Sequence, residues 1–182
     1  MTSLVRTRLR DATAPAHAEV DRIFSHFDLT TAAGYGAFLS AHAGALLPVE
    51  AWLDSRAPQV IADWPSRRRA AALAVDLAAM GQTAAPTEAF HSPDSPAAVI
   101  GVLYVVEGSR LGGKILARRL APGLPASYLN PPGGGPSWPA LLQRLEAILL
   151  DETAEAIATA AAVQTFDRFA RAGSLAAVGC PA

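Results

Sequence analysis

Alanine dominates this chain and falls inside helically spaced apolar stripes, which limits the fold more than any other feature of the sequence. Alanine has the highest helix propensity of any residue. The β-branched and aromatic residues that strands favour are thin outside a few short runs. The expectation is an all-α protein. Its 182 residues, 51% hydrophobic and 17% charged, suit one domain spanning residues 1–182 rather than a disordered or fibrous chain.

The periodicity divides into segments. Residues 4–27 place Leu9, Thr13, Ala16, Val20, Ile23 and Phe27 on one face. Pro15 interrupts that stretch, so either Thr13 caps a helix beginning there or a longer helix carries the proline. A second helix follows Thr30 or Thr31, with Tyr35, Phe38, Leu39, His42 and Leu46 in register, and Pro48 is expected to bend or end it. A third opens at Asp63 as N-cap and runs through RRRAAALAVDLAAM to Gly81. A fourth starts after Ser95 and continues towards Pro122. The last third, residues 138–173, reads as one or two helices with Leu141, Leu142, Leu145, Ile148 and Leu149 inward. Residues 121–139 hold six prolines and four glycines and form a connector, and residues 83–96 form a shorter one.

Several function classes drop out. A net charge of −1 gives no attraction to nucleic acid, and no apolar run approaches the ~20 residues that span a bilayer. The opening MTSLVRTRLRD is too charged for a signal-peptide core. One cysteine, Cys180, makes no internal disulfide or thiolate cluster, in keeping with a cytoplasmic protein. Without an E-x-x-H pair or a cluster of histidines there is neither a di-iron bundle nor a zinc site.

One segment breaks the helix rules. Glu107-Gly108-Ser109-Arg110-Leu111-Gly112-Gly113 sits between two helical stretches, and its three glycines cost a helix roughly 1 kcal/mol each relative to alanine. The spacing matches no phosphate-binding loop. A plain loop, a tight helix–helix contact and a helix lying against a flat ligand all remain open. Among the histidines, His26 and His42 read as structural and His91 as a loop residue. His17 has Asp21 one turn on, placed to accept from the ring nitrogen that does not bind a metal. Arg10 lies two turns before it on the same side, suited to a carboxylate. On spacing alone, a histidine beside a core face such as His17 is more often structural than a metal ligand.

The segments LRDATAPAHAEVD (9–21) and GVLYVVEGSRLGG (101–113) resemble the proximal and distal helices of haem oxygenases, especially the bacterial kind associated with bacterial phytochromes. YGAFLSAHAGALLPVEAWL (35–53) and RRRAAALAVDLAAMG (67–81) are similar to the second and third helices of that family. The resemblance implies a bundle with haem between a proximal and a kinked distal helix. It implies cleavage of haem, both cofactor and substrate, to biliverdin, CO and iron, using O2 and an external electron donor such as ferredoxin or a flavin reductase. A bacterial phytochrome is an implied recipient of biliverdin.

By the same resemblance His17 is the iron ligand, and Arg10, Thr13, Asp21 and Tyr104 contact haem or its propionates. Gly108, Gly112 and Gly113 let the distal backbone press on the ring. Ser109 stands where many members carry an aspartate, leaving Ser109, Arg110 or backbone groups to organise water. That departure motivates the alternative of a non-catalytic haem carrier or sensor on the same fold. Asp21 is one methylene shorter than the family's usual glutamate, which leaves room for a water between it and His17. Arg6, Arg8 and Arg10, or Arg67, Arg68 and Arg69, offer a basic surface to an acidic electron donor, although a solvated helix face explains the second cluster as well.

Overall fold

The computed structural model describes residues 4–131 and 137–178. Cys180 and the glycine-rich middle of the long connector, residues 132–136, lie outside them. Seven helices follow in order: α1 (Leu4–Phe24), α2 (Ala32–Asp54), α3 (Trp64–Arg67), α4 (Ala70–Ala79), α5 (Pro96–Ala117), α6 (Trp138–Ile148) and α7 (Glu152–Val178). A single 3-10 turn, Ala57–Gln59, joins α2 to α3, and the described residues contain no strand. The all-α expectation holds.

Helix α7 is the spine, packed along α5, α1 and α2. The α5–α7 contact is backbone to backbone: a Cβ at Gly101 would stand 2.2 Å from the carbonyl oxygen of Ala158. Two ion pairs fasten α1 to the C-terminal helices, Arg6 Nε with Glu146 at 2.7 Å and Arg8 Nε with Glu155 at 2.7 Å. Both arginines of the expected basic surface thus have a carboxylate partner within the chain.

Both ambiguous prolines lie inside helices. Thr13 is not a cap, because its hydroxyl donates to the Leu9 carbonyl at 2.8 Å and α1 passes through Pro15. Likewise α2, capped by Thr31 accepting from Gly34 N at 3.1 Å, continues past Pro48 to Asp54. At the C-terminal end the chain forms two helices, with Leu141, Leu145 and Leu149 buried and Leu142 only half-buried.

The third expected helix is broken, for a physical reason. Arg68 adopts an extended backbone (φ −63°, ψ 139°), separating α3 from α4. Asp63 caps nothing; its carboxylate accepts two bonds from Arg67, at 2.9 and 2.8 Å. Arg67 and Arg69 both turn into the core, and two residues apart on one helix they would point roughly 200° away from each other. The break lets both face inward. Arg67 reaches the buried Glu107 at 2.8 Å. The buried Glu50 carboxylate of α2 accepts from the backbone N–H groups of Arg69 (2.7 Å) and Ala70 (2.9 Å), so another helix caps α4. Burial raises the pKa of Glu50 against the pull of those bonds. Of the expected surface cluster only Arg68 stays outside, 3.1 Å from Asp54.

Helix α5 is capped by Ser95, which accepts from Ala98 N at 3.2 Å, and it runs unbroken through all three glycines of the distal segment. The loop reading of that segment is overturned. Because Gly101 meets backbone rather than a flexible side chain, Gly101→Ala should lower unfolding stability by about 1–3 kcal/mol. Urea denaturation checks this; an unchanged midpoint would contradict the close α5–α7 contact.

Candidate active site

Helices α1 and α5 flank a cavity of about 680 Å³, within the range of small-molecule and cofactor sites. At one end Tyr104 of α5 faces Thr13 and Arg10 of α1. From Arg10 to Phe24, α1 borders the cavity for roughly 21 Å at 1.5 Å per residue. Arg10, Thr13, His17, Asp21, Tyr104, Gly108, Ser109, Gly112 and Gly113 all line it. Of the residues singled out from the sequence, Arg110 does not. It lines a smaller cavity of about 70 Å³, and its guanidinium bonds Glu107 at 2.8 Å and the Arg67 carbonyl.

On the α1 side, His17 Nδ1 lies 3.0 Å from Asp21 Oδ2, with no room for a water between them. The shorter carboxylate reaches the ring directly because i and i+4 face each other on a helix. With the Nδ1 proton committed to Asp21, Nε2 is the nitrogen left to bind a metal. The His17 side chain is 60% exposed, and its ring meets Phe166 edge-on with centroids 5.5 Å apart. At the Arg10 end, Tyr104 is half-buried beside Trp138, and burial raises its pKa despite the pull of Thr13 and Arg10. The far end is apolar, formed by Phe24, Phe38, Leu116 and Phe169.

The glycines on the α5 side have separate reasons. A Cβ on Gly113 would stand 3.2 Å from the Leu129 carbonyl oxygen, so this glycine lets the 121–131 segment close on the helix. One on Gly108 would make an ordinary 3.6 Å contact with Trp138. One on Gly112 would meet nothing within 4 Å and would project into open space at the cavity wall. No contact within the described residues accounts for glycine there.

Beyond the glycines is a polar group that sequence reasoning missed. Arg69, only 4% exposed, donates through one nitrogen to Ser109 Oγ at 2.8 Å and to the Val106 carbonyl at 2.9 Å. Its Cζ lies 5.1 Å from the centre of the Tyr128 ring, and its Nε is buried without a partner among the described residues. The Tyr128 hydroxyl is 2.6 Å from His42 Nδ1. Burial, with the Arg69 charge adding to it, pulls the pKa of His42 down to about 3, so the ring is neutral. Burial pushes Tyr128 up, so it keeps its proton. The phenol therefore donates to Nδ1, and the histidine proton is assigned to Nε2. His42, expected to be structural only, also lines the cavity. Its phase on α2 indicated an inward residue; only the tertiary fold shows the cavity there.

No protein-family model matches the chain. A heme oxygenase of Xanthomonas campestris pv. campestris (strain 8004) is 41% identical over 105 residues, 55% of this chain and 61% of that protein. The match thus spans about three fifths of the curated relative's length. The solved NO- and CO-bound heme oxygenase of Neisseria meningitidis matches with a TM-score of 0.82, covering 99% of this chain and 95% of that one at 24% identity. The chain has the haem oxygenase fold. The resemblance read from the sequence is borne out by the relative and by the fold together.

The residues present fit a haem. A single histidine on one wall suits a metal that brings its other ligands with it, and no group of three or more His, Cys, Asp or Glu among the described residues is placed to hold a bare ion. Opposite stands a cradle that a Cβ at Gly112 would fill. None of the described helices is long and apolar enough to cross a membrane.

Two outcomes are expected. Gly112→Ala should hold or raise stability, by up to about 1 kcal/mol of helix propensity, while weakening haem binding. Titration of both proteins with haem checks this, and equal affinities would remove Gly112 from the cradle. His42 has a folded pKa depressed below its unfolded value, so its stabilisation is complete above about pH 6.5 and is lost as pH falls towards 3. Unfolding free energies from urea titrations should fall by at most about 1.4 kcal/mol per pH unit from this ring as pH drops from 6.5 to 4, and His42→Gln should flatten that slope.

Proposed function

We propose that this protein is a haem oxygenase that opens haem to biliverdin, CO and iron with O2 and externally supplied electrons. The observation that carries the reading is the pairing across one cavity of the His17–Asp21 couple with an α5 backbone stripped of Cβ atoms at Gly112. The named relative and the shared fold support it.

Haem, when bound, supplies both the redox-active iron and the ring that is cleaved. His17 Nε2 would hold it from the α1 side, and Asp21 orients the imidazole by accepting from Nδ1–H. Arg10 and Tyr104, at the polar end, receive the propionates, with Arg10 exchanging its present partner Asp11 for a propionate carboxylate. Phe24, Phe38 and Phe169 pack the apolar edge. Gly112 admits the α5 backbone to the face of the ring, while Gly108 and Gly113 let Trp138 and Leu129 close behind it.

Protons on the α5 side are handled without a carboxylate. Ser109 Oγ donates to the Val106 carbonyl at 2.8 Å and accepts from Arg69, so its hydrogen is committed. The Arg69 guanidinium hydrogens not taken by Ser109 and Val106, together with the His42 Nε2–H, are the donors left to hold water in the cavity. This polar group answers the missing aspartate that motivated the carrier reading. Arg110 acts from behind α5, anchoring Glu107.

A ferredoxin or a flavin reductase is the electron donor in this reading, a bacterial phytochrome a recipient of biliverdin, and the cytoplasm the setting. Purified protein given haem, a reductant and air should lose its Soret band and form biliverdin. His17→Ala should abolish turnover, and Asp21→Asn should slow it by about 10-fold or more. Stable haem binding without ring opening under those conditions would overturn the proposal.

A further inference from the structure

Asp76 lies on α4, is fully buried, and does not line the cavity. Its Oδ1 accepts from the backbone N–H of Ser127 at 3.1 Å and its Oδ2 from that of Tyr128 at 2.8 Å. The Tyr35 hydroxyl also donates towards Oδ2, at 3.4 Å. Residues 121–131 contain no helix, and the backbone donors of such a segment need partners when buried. A buried carboxylate has the complementary need for donors. Each meets the other's requirement here.

Tyr128 itself is 1% exposed and carries the hydroxyl that bonds His42. Arg69 and Asp76 are seven residues apart, two turns, which puts them on the same face of the α4 region. From that face Arg69 reaches Ser109 and stacks on the Tyr128 ring, while Asp76 grips the Tyr128 backbone. Glu50, by capping α4 at Arg69 and Ala70, fixes the element from which both extend.

We propose that Asp76 is a positioning residue for the active site, holding the backbone at residues 127–128 so that the Tyr128 hydroxyl meets His42 and its ring lies against Arg69. Its catalytic consequence rests on the haem oxygenase reading; the positioning does not, and is tested without haem.

In haem-free protein labelled with nitrogen-15 histidine, NMR reports the hydrogen bond at His42 Nδ1. Tyr128→Phe defines the signal when that bond is absent. Asp76→Asn should shift the His42 signal towards that position, Tyr35→Phe should leave it unmoved, and Asp76→Asn combined with Tyr128→Phe should match Tyr128→Phe alone. A purely structural carboxylate would lower stability without moving this signal. In the haem-loaded protein Asp76→Asn should slow biliverdin formation by about 10-fold, like Tyr128→Phe. A wild-type His42 signal in Asp76→Asn, with Tyr128→Phe clearly shifted, overturns the proposal.

Should Asp76→Asn fail to fold, amide exchange in the unsubstituted protein decides. The Tyr128 N–H should exchange about 100-fold more slowly than exposed amides of the same connector, and equal rates overturn the proposal. If the unsubstituted protein neither binds nor degrades haem while the His42 result stands, the haem reading alone fails.

Discussion

A guanidinium that is 4% exposed has to be given acceptors, and meeting that need for Arg69 fixes where three parts of the chain lie. Its side chain draws on α5 through Ser109 and the Val106 carbonyl, and its ring partner is Tyr128 of the connector. Its backbone N–H is taken by Glu50 of α2. Among the described residues no carboxylate forms an ion pair with the side chain, so the charge is held by neutral oxygens and an aromatic face. A buried charge in that condition is costly to keep and useful only where it faces something polar. Arg69 lines the cavity, and that is where its uncommitted N–H groups count.

The neighbouring Arg67 follows the opposite logic. It is fully paired, with Asp63 on one side and Glu107 on the other, and Arg110 completes the same group. These charges neutralise each other behind α5 and hold the helix in place at the residue before Gly108. The break at Arg68 is therefore what separates a charged anchor from a charged working group. An unbroken helix could have supplied only one of them.

How far the sequence exposes this arrangement depends on distance along the chain. His17 and Asp21 are one helical turn apart, so their contact is legible from spacing, and the structure removes only the water allowed between them. The glycines were visible through their cost in an alanine-rich chain. Their separate reasons were not, because Trp138 and Leu129 reach them from other segments. Arg69 was hidden in a run of three arginines that reads as a solvated face, and Asp76 in an apolar helix. His42, Tyr128 and Ser109 come from α2, a connector and α5, and no local pattern joins them. Helix phase marks which face turns inward; it does not say which inward residue meets a cavity.

The replacement of a carboxylate by Ser109 changes the kind of proton handling available. A carboxylate can take up a proton and give it back, whereas a serine hydroxyl already committed to Val106 and Arg69 stores nothing. The other polar side chains near it do not store protons near neutral pH either. His42 is held neutral by burial, Tyr128 is held protonated, and the Arg69 guanidinium is a fixed positive charge. Such a set can align water and pass protons along it, but each proton must enter from outside the group. In the proposed reading, the geometry of these groups rather than the acidity of any member then governs proton delivery. That places the weight on whatever fixes Tyr128, which sits on a segment with no helix of its own and depends on α4 to hold it still.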